Sequence, residues 1–127
     1  MKILVFGTFD LLHPGHRFVL DAAGKRGELY VVVARDRTVE RIKGRLPVHD
    51  EIERVSRVRA AAPTATVVLG SESDFLEPVH AVRPDVIMLG YDQRLPPGVT
   101  ESDLPCPTER LESFEPQRYK TSILRSM

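Results

Sequence analysis

Apolar runs of four to six residues alternate along this chain with stretches whose apolar positions recur every three or four residues, a pattern of strands joined by helices. Residues 2–6 read as a short buried strand. Residues 16–26 carry Phe18, Val19, Ala22 and Ala23 on one stripe, with Asp21 and Lys25 outside it, and so predict an amphipathic helix with Gly27 at its cap position. Residues 29–34 form a continuous Val-rich run, the mark of a central strand covered on both faces. Asp36 is placed to cap a short helix through Ile42, which Gly44 and Pro47 then end. A longer helix is predicted over 50–62, with Ile52, Val55, Val58 and Ala62 on its packed side and Pro63 just beyond. Residues 66–69 and 86–89 are further strands. Between them, Asp74 and Glu77 have the capping-box spacing for a helix to Val82, with Pro78 near its first turn. After Gly90 the pattern weakens. Residues 94–98 read as a loop, residues 106–114 as a ragged fifth strand kept to an edge by Pro105 and Pro107, and a last short helix is expected near Thr121.

That order predicts a single domain over 1–127. Its fold class is α/β, a Rossmann-like, doubly wound parallel sheet of about five strands with helices on both faces. In such a sheet a ligand is expected at the carboxyl ends of the strands, beside the reversal of strand order. Composition narrows the function. Eighteen Lys and Arg balance eighteen Asp and Glu, and the pI near 6.9 argues against a general nucleic-acid binder, although Arg residues cluster between Arg35 and Arg59. The longest apolar run is far below the roughly 20 residues of a membrane helix. The N-terminus reads as a strand rather than a secretory signal, so a soluble, cytoplasmic protein is expected. Cys106 stands alone, which excludes an intrachain disulfide and a Cys-based zinc site.

The chemistry-bearing segment runs from Gly7 to His16, between the first strand and the first helix, where this kind of fold binds phosphates. Thr8 offers a hydroxyl and an N–H. His13 and His16 stand three apart, with Pro14 suited to a first helical turn and Gly15 allowing close approach. Two imidazoles at a helix N-terminus can hold the charge that develops when a phosphate attacks the α-phosphorus of a nucleotide and displaces pyrophosphate. That reaction needs alignment and fixed donors more than a general base. On spacing alone, the same pair also fits surface caps or a fortuitous metal pair.

The string GTFDLLHPGH resembles the HxGH signature of the cytidylyltransferase-like nucleotidyltransferase superfamily. Residues 33–39, 43–47, 69–71 and 83–93 are most similar to its small branch of archaeal FAD synthases, then to glycerol-3-phosphate cytidylyltransferases. The resemblance implies that His13 and His16 stabilise the transition state. It also implies that the nucleotide is held by Thr8, Phe9, Pro14, Gly15 and the two histidines, with Asp92 near ribose or base. Asp92 read by itself is a turn former. A second family signature is matched by Tyr119, Lys120, Thr121 and Ser122, with Lys120 where many relatives carry Arg; these residues are expected on the nucleotide. Lys43 and Arg45 are expected over the acceptor phosphate. Asp10 would orient a phosphate-bound ion or, alternatively, cap the first helix. The implied reaction joins ATP to FMN; the alternative joins CTP to glycerol 3-phosphate or another phospho-alcohol. A divalent ion such as Mg²⁺ would arrive with the nucleotide, and a homodimer is expected. A non-catalytic nucleotide-binding module remains the reading from a different class.

Overall fold

The computed structural model of the chain describes residues 1–112. Strands β1 (Lys2–Gly7), β2 (Glu28–Val33), β3 (Thr66–Leu69), β4 (Val86–Leu89) and β5 (Thr108–Arg110) form one sheet in the order β3-β2-β1-β4-β5, every pair parallel. Helices α1 (Pro14–Gly24), α2 (Asp36–Lys43), α3 (Glu51–Ala61) and α4 (Leu76–Val82) make the connections. The order reverses at β1, so the crevice beyond the carboxyl ends of β1 and β4 is the switch point of the sheet.

Strands β1, β2 and β4 divide their side chains between two cores, as the twofold alternation of a strand requires. Ile3, Val5, Val31, Val33, Val86 and Met88 pack with Leu20 and Ala23 of α1 and Val55 and Val58 of α3. Leu4, Val32, Ile87 and Leu89 pack on the other face with Val79 of α4, closed over by Phe75, Leu95 and Leu104. β1 and β4 read as continuous apolar runs because both faces are covered there, whereas Val68 of β3 stays 37% exposed. Cys106 is half-buried in this second core, and burial pushes its thiol up, away from the reactive thiolate.

Several local boundaries differ from the sequence pattern. Helix α1 starts at Pro14 and is capped by His13; Lys25 closes it, not Gly27. Gly27 instead answers a close approach, since a Cβ there would lie 2.4 Å from the Met1 carbonyl oxygen. Arg35 occupies the cap position of α2, and Asp36 lies inside the helix with its carboxylate bound elsewhere. The expected Gly44 stop holds, in the left-handed conformation at φ 82°. Asp50 caps α3 by accepting the Glu53 N–H. On that helix Ile52 is 68% exposed while Arg54 is completely buried, so the packed stripe is shifted from the one predicted. Asp74 accepts the Leu76 N–H in a turn ahead of α4, rather than forming a reciprocal cap with Glu77. β5 is a short edge strand as expected, but three residues long, with Cys106 outside it and Leu111 extending its ladder to Leu89.

Candidate functional site

The site is built at the start of α1. His13, in extended backbone, accepts the Gly15 N–H on Nδ1 at 3.1 Å, and its own N–H points at Nδ1 of His16 at 3.4 Å. This is a capping box made of two imidazoles instead of the usual hydroxyl and carboxylate. The rings stack with centroids 3.8 Å apart and 23° between planes. Gly15 is what lets them do so, because a Cβ there would sit 2.9 Å from His13 Cε1. With Nδ1 of each ring accepting a backbone N–H, each neutral imidazole carries its proton on Nε2 and presents that as a donor. His16 is half-buried, and burial first, then the charges of His13 and Lys43, lower its pKa to about 4 against a smaller opposing pull from Asp10. It is therefore neutral at physiological pH.

Below the pair lies Phe9, buried, its ring centroid 5.5 Å from that of His16. Phe9 and Leu11 both adopt positive φ, 55° and 50°, a conformation that costs non-glycine residues and persists only where neighbours enforce it. The enforcement is visible. Between them, Asp10 accepts the N–H groups of Val48 at 2.7 Å and His49 at 3.0 Å. Burial works to raise the Asp10 pKa, but those two hydrogen bonds and the charges of His49 and Arg54 outweigh it and hold the carboxyl below its usual value. Asp10 thus ties the β1–α1 loop to the α2–α3 loop, and the cap of α1 belongs to His13.

Arg54, which the sequence pattern did not single out, completes the clamp. Its guanidinium donates to the Thr8 carbonyl at 2.7 Å, the His49 carbonyl at 3.0 Å and the Asp36 carboxylate at 2.8 Å. A buried cation persists only when its donors are met in this way. The available signal was an arginine next to Val55 on a helix that must face the sheet. Gln93 was missed as well. Its side chain accepts the Gly90 N–H and donates to the Phe6 carbonyl, joining the ends of β4 and β1 across the switch point. Arg110 donates to the carbonyls of Gly90 and Gln93, holding the same turn from the sheet edge.

The structure brings Thr8, Phe9, Asp10, His13, Pro14, Gly15 and His16 into one loop and helix start at the carboxyl end of β1. Lys43 and Arg45 are exposed on the neighbouring α2–α3 segment, near enough for the Lys43 charge to be felt at His16. Asp92 is exposed in the turn after β4. Tyr119, Lys120, Thr121 and Ser122 lie outside the described residues. Among the described residues no group of three or more His, Cys, Asp or Glu converges as a metal site. A groove of about 680 Å³ lies between α4 and strands β2 and β3, lined by Tyr30, Val68, Glu77 and Pro78; it contains none of the histidines and is open sheet surface.

Residues 4–104 match the family described as Cytidylyltransferase-like. Two methanogen proteins named FAD synthase are similar to the chain. That of Methanosphaerula palustris is 48% identical over 99 residues, covering 77% of this chain and 63% of its own length, so the match spans less than two thirds of that relative. That of Methanopyrus kandleri is 42% identical over 123 residues, 90% of this chain and 81% of its own. The crystal structure of the lipopolysaccharide core biosynthesis protein from Thermoplasma volcanium GSS1 superimposes with a TM-score of 0.80 at 34% identity, over 91% of this chain and 98% of that one.

Proposed function

The chain belongs to the cytidylyltransferase-like family, and from that premise we propose that it is an FAD synthase, transferring AMP from ATP to FMN. The FMN phosphate oxygen attacks the α-phosphorus of ATP, the bond from that phosphorus to the bridging oxygen breaks, and pyrophosphate leaves with the bonding electrons. The observation that carries this reading is the stacked imidazole pair at the N-terminus of α1, with both Nδ1 atoms engaged by backbone. Such a pair cannot act as a base through Nδ1. It supplies two Nε2–H donors for the α-phosphate and the bridging oxygen, where charge grows as the bond breaks. The naming of the two methanogen relatives supports the choice of substrates.

In this reading His13 and His16 are the catalytic residues. Backbone around Thr8, Phe9, Pro14 and Gly15 takes the nucleotide phosphates, aided by the partial positive charge of the helix start. Asp92 contacts ribose or base, Tyr119 packs on the base, and Lys120, Thr121 and Ser122 meet the outer phosphates. Lys43 and Arg45 receive the acceptor phosphate, with Asp10 holding their loop in place. A divalent ion, Mg²⁺ or similar, comes in with ATP as part of the substrate and offsets phosphate charge. A homodimer in the cytoplasm is part of the same proposal. Among the described residues no helix is long and apolar enough to cross a membrane.

The test is pyrophosphate release by the full chain in Mg²⁺, with ATP or CTP crossed against FMN, glycerol 3-phosphate and no acceptor, and FAD identified by chromatography. Release with ATP and FMN together is expected. Release confined to CTP with glycerol 3-phosphate would replace the acceptor and the base while leaving the histidine chemistry in place, and silence throughout would overturn the assignment.

A further inference from the structure

Five of the exposed large apolar side chains fall within one neighbourhood: Leu11, Ile42, Leu46, Val48 and Ile52. Elsewhere the described surface holds only Met1, Val68 and Tyr91 in that class. Leu46, at 56% exposed, and Val48, at 71%, flank Pro47 in the α2–α3 loop. Leu11 belongs to the loop that is tied to this segment, because its neighbour Asp10 holds the Val48 and His49 N–H groups. Ile52 follows in the first turn of α3. Interspersed with these are Lys43 and Arg45, both exposed. A cluster of apolar side chains left in water beside a reaction centre, rather than scattered singly, marks a surface that something covers.

We propose that this collar of Leu11, Leu46, Val48 and Ile52 receives the flat, apolar ring system of the acceptor, with Lys43 and Arg45 meeting its phosphate. The inference rests on the FMN-accepting reaction above and assigns the residues that recognise the acceptor's ring. An isoalloxazine joined through a polar chain to a phosphate dianion matches the patch in both respects, apolar face to apolar side chains and anion to cations. A second copy of the chain fits less well. A twofold contact sets the patch against an identical patch, which brings the Lys43 and Arg45 charges of both copies into one interface. A small phospho-alcohol would leave the apolar side chains uncovered.

The experiment is steady-state kinetics on the full chain carrying Leu46→Ser with Val48→Ser. Both residues are exposed, so the fold does not depend on them. Removing that apolar contact is expected to raise the KM for FMN about tenfold while the KM for ATP stays within about twofold. Leu46→Met with Val48→Leu is expected to keep the parental KM for FMN. An unchanged KM for FMN in the Ser variant, or an equal rise for both substrates, would overturn the collar alone. A change in oligomeric state of the Ser variant by sedimentation would overturn it in favour of a contact between copies. Failure of the parent protein to make FAD would instead overturn the acceptor reading, and is seen before any variant is compared.

Discussion

The two loops that meet at Asp10 are built on opposite plans. The β1–α1 loop is locked: Phe9 is buried, both histidine Nδ1 atoms are engaged, and the Thr8 carbonyl is held by Arg54. The α2–α3 loop is anchored at its base, through Val48 N–H, His49 and the Asp50 cap, yet exposes Arg45, Leu46 and Val48, next to Lys43 at the end of α2. Stabilising charge at the α-phosphorus requires donors that do not reorganise during the reaction, which favours a rigid, internally satisfied loop. Choosing an acceptor requires free surface of the right chemistry, which favours side chains that the protein does not use itself. The shared Asp10 and Arg54 clamp holds the two loops together, and in the proposed reaction it would align an acceptor on one with the nucleotide on the other.

The strongest way to break this contrast is to remove the clamp. Arg54→Ala leaves the Asp36 carboxylate and two carbonyls without their buried partner and is expected to destabilise the fold by about 3–5 kcal/mol, read by denaturant unfolding; a loss below about 1 kcal/mol would mean that the two loops are held by something else. Next in size, His16→Ala should lower kcat by about 10²–10³ with folding preserved, as loss of a fixed transition-state donor does. A parental rate in that variant would remove the imidazole pair from the mechanism. The mildest probe sharpens the contrast without any substitution. His16 titrates at about 4 in the fold, below the ordinary value near 6.5 of an unfolded chain. Between those two values the unfolded chain binds the extra proton, so His16 contributes its full stability above about pH 6.5 and loses it as the pH falls toward 4. The ring resonances of His16 followed by NMR should show no protonation at pH 6; titration there with an ordinary midpoint would remove the basis for a neutral donor.

Much of this was legible from patterning, and the lapses have specific causes. The strands, their parallel pairing and the edge position of β5 follow from apolar runs, crossover spacing and prolines. The histidines were found because their spacing and their place after a buried strand are local facts. That the pair could cap a helix was also legible, but which residue caps α1 was left open between the histidines and Asp10, and the fold decides for His13. Arg54 and Ile52 exchanged their expected environments because helix periodicity assigns faces by hydrophobicity, whereas here a cation is drawn inward by three acceptors from three separate segments. Gln93 was passed over for a similar reason, since its partner Phe6 lies 87 residues away.

What the sequence determined by itself is therefore the architecture and the contiguous segment that carries the paired histidines. Hydrophobic periodicity and turn residues act over a few neighbours, and the HxGH segment is contiguous. Only the tertiary structure decided how those side chains are held: which histidine nitrogen faces outward, what sustains the strained loop, and which apolar residues remain uncovered beside it. Those properties depend on contacts between segments far apart in the chain, where burial and hydrogen-bond satisfaction are settled jointly and no local pattern carries the answer.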